Sequence, residues 1–371
     1  MKILPTYSPQ RDAISDSEGT RIGLEQLSRL QANTTHSLIL DSSRAATMRS
    51  IPRSIEQTGD EDKTRSLWAD AWNNSLDRMS TPVAGQPDQD VATFEITTRL
   101  LKRVEDAALR LEVKPLDNSV IGTLAERSIN AFNTSFFGTT SLIVVHSHLL
   151  IFIHLLAKAI CLCISAKAPE GILQIGVKPP RKQLSEGTQR LSELLCAMRD
   201  HRDPAAALAY IAPVGWFLWH PVYSIVDCME LFVVAHEYAH LLMTKGEGIF
   251  SPEYLNATSP HDEEHSADLF AQVTVIADAN PADIYLAVLS PLLLFKSLAL
   301  MEQESILPPA EGHPASSQRL ELLVQSLTLL ATRPTPRTPL LDMVGVWSNV
   351  ERLLEDAWAM AVENIRRRHS K

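Results

Sequence analysis

His236-Glu237-Tyr238-Ala239-His240 sets two imidazoles four residues apart, with a carboxylate beside the first. On a helix that spacing puts both rings on one face, one turn apart, so they can converge on a single ion while Glu237 stands next to it. Zinc (Zn2+) accepts such nitrogen donors, and in a catalytic site it takes three protein ligands and leaves a fourth position for water. A third ligand is available in Glu264-His265-Ser266-Ala267-Asp268. Asp268, one turn beyond Glu264, can accept the outer N–H of a ligand histidine and fix its tautomer. The pattern predicts a zinc site made by His236, His240 and Glu264, with Glu237 as the general base toward a water acidified by the metal.

Other schemes have to be weighed against this one. A third histidine ligand in the metzincin manner needs Gly at 243 and His at 246, where the chain has Met243 and Gly246. The inverted pattern H-x-x-E-H does occur, as His261-Asp262-Glu263-Glu264-His265, and would make His261 and His265 ligands and Glu264 the base. Asp262 and Glu263 mark an exposed helix start, however, whereas the residues around His236 are apolar on nearly every side, as a buried ligand-bearing helix requires. Glu264 and Asp268 also have a plain reading as the solvated acidic start of a helix.

The elements that must position these groups follow from periodicity and punctuation. A long helix begins near Pro221 and ends near Gly246, with proline in its first turn and glycine just past its end. The next opens at Ser259-Pro260 and runs toward Ile276. Helical spacing also covers Val91 to Leu111, Ala125 to Phe132, Gln189 to Arg199, Pro204 to Tyr210, Ala282 to Glu302, Ser317 to Leu330 and Leu341 to Arg368. Leu142 to Ile164 is apolar enough and long enough to cross a bilayer, but His146, His148, His154 and Lys158 interrupt it. Split into a β-branched strand, Ser141 to Val145, and a helix, Leu149 to Cys163, the segment needs no membrane.

The remaining composition narrows the setting. Residues 1–90 are polar and bury little surface for their length, so part of this region is expected to be flexible; Trp68 and Trp72 share one helix face there. The metallopeptidase unit is expected over 91–330, and a linker with a terminal helix over 331–371. A net charge of -10 argues against nucleic acid as a partner. Cys161, Cys163, Cys196 and Cys228 form no C-x-x-C pair and read as reduced core residues. With no apolar signal core in the first residues, they point to the cytoplasm.

On these motifs the chain resembles the gluzincins, the thermolysin-type clan, and within it the short-core peptidases related to heat-shock and prenyl-protein-processing enzymes. Three pieces carry the resemblance: H-E-x-x-H, the E-x-x-A-D of Glu264 to Asp268, and His313-Pro314-Ala315-Ser316-Ser317-Gln318-Arg319. In layout it is also similar to phage-exclusion peptidases that cut a host protein. Leu142 to Val145 followed by Leu149 and Leu150 resembles the substrate-binding edge strand and adjoining helix of such enzymes.

The resemblance implies an α+β, predominantly helical fold: a zincin-like core with a small sheet and an active-site helix. It also implies an endopeptidase acting on a protein or peptide. His313 is implied either as an oxyanion donor or as a structural histidine, and Arg319 as a brace for its segment. A zinc-stabilised binding or regulatory protein without turnover and a membrane-embedded peptidase using 142–164 as a span stand as alternatives.

Overall fold

The structure, a computed structural model, describes residues 18–32, 77–78, 81–83, 86–126, 128–136, 140–168, 173–200, 218–245, 259–308, 313–332 and 339–369. In chain order these form α1 (Glu18–Ala32), β1 (Pro82–Val83), β2 (Gln86–Asp90), α2 (Val91–Arg110), β3 (Ser119–Leu124), β4 (Ala131–Phe136) and β5 (Thr140–His146). There follow α3 (Ser147–Ile164), β6 (Ser165–Lys167), β7 (Leu173–Ile175), α4 (Arg181–Arg199), α5 (Trp219–Lys245), α6 (Pro260–Asp278), α7 (Ile284–Gln303), α8 (Ser316–Thr332) and α9 (Pro339–His369). The chain is predominantly helical with a small mixed sheet, as expected. Trp68, Trp72, Pro204 to Tyr210 and most of the 333–339 linker lie outside the described residues.

The sheet runs β3-β5-β4. β3 pairs parallel to β5 with Val120 opposite Leu142, and β4 pairs antiparallel to β5 with Phe132 opposite Val144 and Asn133 opposite Ile143. Two expectations are corrected here. Leu142 to Val145 is in the central strand, not an edge, and the edges are β3 and β4. Ala125 to Phe132 does not form the expected helix: β3 ends at Leu124, and Ala131 and Phe132 open β4, which pairs with β5 along one side. Period-two alternation divides β5 between two cores. Leu142 and Val144 join Val120, Leu124 and Leu27 of α1, while Ile143 and Val145 face the main helical core.

Part of the polar N-terminal region is thus packed: Leu27 is fully buried against the sheet. It fits because β3 offers Gly122 there; a Cβ on Gly122 would lie 2.1 Å from Leu27 Cδ2. On the opposite face of the sheet, α2 starts at the N-cap Asp90, whose carboxylate accepts from Thr93 N at 2.9 Å and Thr93 Oγ1 at 2.7 Å. Leu100, Leu101, Val104, Ala107 and Ala108 form the buried stripe of α2.

Helices α3 and α7 are each long and apolar enough to cross a membrane, yet most of each is buried inside the molecule. α3 packs against α4 and α5, and α7 against α5, α8 and α9. Their apolar surface is satisfied by the chain's own helices, which argues against a spanning topology.

Candidate metal centre

α5 is apolar around most of its circumference because it is surrounded: Phe232, Val234, Ala235, Ala239, Leu241 and Leu242 are all buried. Its four central polar positions have three destinations. Tyr238 Oη accepts from the Leu116 N–H at 2.7 Å, tying the helix to the turn before β3. Glu237 Oε2 accepts from Asn133 Nδ2 of β4 at 2.7 Å. His236 and His240, on a third face, meet Glu264 of α6.

α6 is held in place for this meeting from both ends. Ser259 caps its first turn, receiving Asp262 N at 3.3 Å, with Pro260 in the first turn and Asp262 and Glu263 favoured by the dipole. At its C-terminus Asp278 accepts from Arg103 of α2 at 2.9 Å and from Arg110 at 3.0 Å. Arg103 also forks onto Asp227 of α5 through 2.6 and 2.7 Å bonds, so one guanidinium sets α5 and α6 against α2.

The ligand atoms converge. His236 Nε2 lies 3.2 Å from His240 Nε2 and 3.4 Å from Glu264 Oε2, and His240 Nε2 lies 3.2 Å from Glu264 Oε1. A divalent ion bound tetrahedrally with bonds of about 2.0 to 2.1 Å holds its donors about 3.3 to 3.4 Å apart, so the triangle has the right edge. The tautomer is right as well. Asp268 can only accept, and its Oδ1 sits 3.0 Å from His236 Nδ1, so that nitrogen carries a proton, and Nε2 is the nitrogen that would turn a lone pair to a bound ion. Glu264 Oε2 is buried without a well-directed hydrogen bond, the kind of orphaned acceptor a cation would satisfy.

Charge points the same way. Burial disfavours a charged His236 ring, but Asp268 and Glu264 outweigh it and lift the imidazole to about 9. Burial would raise the Glu264 carboxyl, yet contacts with His236, His240 and His313 hold it well below the usual carboxylate range. Asp268 is also depressed, against burial, chiefly by the Arg319 guanidinium. An H-E-x-x-H helix with a distal glutamate has closed around one point. This is a zincin-type site. Protein-family models, curated proteins and solved structures were all compared with the chain, and none matches it.

Among the described residues, His236, His240 and Glu264 are the grouping that could hold a metal ion; His261 and His265 do not join a second one. Two further sequence-predicted residues sit beside it. His313 Nδ1 is 2.9 Å from Glu264 Oε2 and its side chain is 42% exposed, so the ring stands at the rim of the centre. Arg319 of α8 is more central than a segment brace, because it binds Asp268 and approaches both Glu264, at 3.5 Å, and His236, at 3.4 Å. Its guanidinium lies 4.5 Å over the Phe295 ring, and Phe295 in turn meets Phe232, which stacks on His236.

Asn133 is the polar contact of Glu237 that sequence reading missed. The signal was in Phe132-Asn133-Thr134-Ser135-Phe136, whose two-residue alternation marks a strand with Asn133 on the face opposite Phe132.

Proposed function

We propose that the chain is a zinc-dependent endopeptidase of gluzincin type. The observation that carries this reading is the closure of His236, His240 and Glu264 on one point, with Glu237 on the same helix turn held against an edge strand. His236, His240 and Glu264 would hold the ion; zinc bound there supplies Lewis acidity that brings water within reach of a carboxylate base near neutral pH.

The chain's own residues do the rest. Glu237 accepts a proton from the attacking water as its oxygen bonds to the scissile carbonyl carbon. Glu237 then returns that proton to the amine nitrogen as the C–N bond breaks. His313, at the rim with Nδ1 beside Glu264, would donate from Nε2 to the developing oxyanion in its doubly protonated form. β4 pairs with β5 on one side, and among the described residues no strand covers its other edge. An extended peptide can add to that edge by main-chain hydrogen bonds, which brings its backbone past Glu237. The four free cysteines suit a reducing compartment, and we place the enzyme in the cytoplasm.

The test is expression of the wild type and Glu237→Gln side by side, with zinc analysis and proteomic detection of new protein termini. Both proteins should carry zinc, and new termini should fall at least about a hundredfold in the variant. Zinc in both with termini in neither would make this a zinc-stabilised binding protein instead.

A further inference from the structure

We infer that Asn133 is a positioning residue for the general base, fixing the Glu237 carboxylate so that one oxygen is held and the other is free to take a proton. The inference rests on the peptidase reading above and adds to it a residue from outside every motif in the sequence. Its geometry is specific. The Asn133 amide nitrogen is 2.7 Å from Glu237 Oε2, and only that nitrogen can face a carboxylate, which accepts and cannot donate. The bond is charge-assisted, and Glu237 is only 9% exposed, so water competes weakly for it.

The direction of the side chain is set by the fold. Asn133 pairs with Ile143 across the antiparallel ladder, and paired residues share a face. Ile143 is buried in the main helical core, the side on which α5 lies, so β4 register alone aims Asn133 at the helix. A one-residue slip would turn Asn133 away and present Phe132 or Thr134 to Glu237. Glutamate has three side-chain torsions, and an unheld carboxylate spends most of its time away from the reactive orientation. A donor on Oε2 removes that freedom and leaves Oε1 as the proton acceptor. Because Asn133 belongs to the strand proposed to receive peptide, substrate docking and the poise of the base depend on one element.

The experiment uses the full chain loaded with zinc, as wild type, Asn133→Ala, Asn133→Asp, Glu237→Gln and Asn133→Ala/Glu237→Gln. Two probes are used: fluorescently labelled casein, and acetohydroxamate, a metal chelator whose hydroxyl proton needs a nearby acceptor, followed by calorimetry. Asn133→Ala should keep its zinc and a casein KM within twofold, while kcat falls ten- to a hundredfold, the loss typical of one hydrogen bond to a charged group. In the Glu237→Gln background the same substitution should cost less than twofold, because its effect acts through Glu237. Acetohydroxamate affinity should fall about tenfold in each single variant and no further in the double.

A raised KM with unchanged kcat, equal losses in both backgrounds, or no loss at all would overturn the inference. Should Asn133→Ala fail to fold, Asn133→Asp preserves the shape while replacing the donor with a charge, and wild-type kcat in that variant overturns the inference equally. If the zinc-loaded wild type leaves casein intact, the peptidase reading fails while the acetohydroxamate cycle still decides the role of Asn133. A wild type that binds no acetohydroxamate overturns both.

Discussion

Arg319 grips Asp268 through two parallel hydrogen bonds, Nε to Oδ2 at 2.8 Å and Nη2 to Oδ1 at 2.5 Å. The Asp268 carboxylate is fully buried and also faces His236 Nδ1, so the tautomer of a ligand histidine depends on an arginine 83 residues away in sequence. Removing the guanidinium leaves Asp268 as a buried, weakly compensated charge that can rotate away from the ring.

Arg319→Ala should therefore weaken zinc binding about 10- to 100-fold, as loss of an outer partner of a ligand histidine commonly does. Arg319→Lys should recover little of this, because an ammonium cannot reproduce the fork or lie flat over Phe295. Competition against a fluorescent chelator measures both. An unchanged zinc Kd in the alanine variant would remove Arg319 from the account of the metal centre.

Ligand assignment has its own test in the two histidine pairs. His240→Ala should leave the purified protein with little zinc, and His261→Ala should keep about one ion per chain, read by elemental analysis. The reverse pattern would move the centre to the start of α6, where His261 and Glu264 would have to leave their present positions. Glu264→Gln separates the cases further: with Glu264 as a ligand it should lower zinc affinity, and with Glu264 as a base it should spare it.

The Arg103 fork makes a prediction about stability. Its side chain is 24% exposed, and it neutralises Asp278, 14% exposed, together with the more solvated Asp227. Arg103→Ala leaves two carboxylates without their common cation at the junction of α2, α5 and α6. Loss of charge-assisted bonds at such a site costs about 2 to 3 kcal/mol, the solvent around Asp227 keeping it below the cost of breaking a wholly buried pair. Arg103→Lys should restore less than half, since a single ammonium cannot hold both aspartates in the forked geometry. Urea unfolding measures the difference, and a midpoint matching that of wild type would count against the fork as the joint that aligns α5 with α6.

What the sequence made legible was local. The long buried helix around His236, the Ser259-Pro260 start of α6 and the strand-to-helix change after Val145 each follow from caps and periodicity within a few residues. The metal ligands were legible because H-E-x-x-H is itself a helix-face pattern, and Glu264 falls on the next helix. Pairing was harder to read. Nothing near Leu142 to Val145 says that strands occupy both of its sides, because β3 and β4 are fixed by register and not by composition. Asn133 meets Glu237 across 104 residues and Arg319 meets Asp268 across 51, distances over which no spacing rule operates.

Glu230 gives the pH dependence that is easiest to isolate. It sits six residues before His236 on α5 and is 9% exposed. Burial, followed by the like charge of Asp227, pushes its carboxyl up to about 8, while Arg99 and Arg103 pull the other way. In the unfolded chain an ordinary glutamate titrates near 4.3. Between these values the folded protein binds the proton and the unfolded chain does not, so the contribution of Glu230 to stability falls as pH rises from about 4.3 to about 8 and is flat beyond. Glu230→Gln keeps the shape and removes the titration. The variant should match wild type near pH 4 and become more stable by about 1 to 3 kcal/mol at pH 8 and above, the difference between the two proteins cancelling every other titrating group. Denaturant unfolding at several pH values supplies the test. A gap that stays constant with pH, or one that grows toward acid, would mean that Glu230 is charged in the folded protein and held there by Arg99 and Arg103 more strongly than burial opposes it.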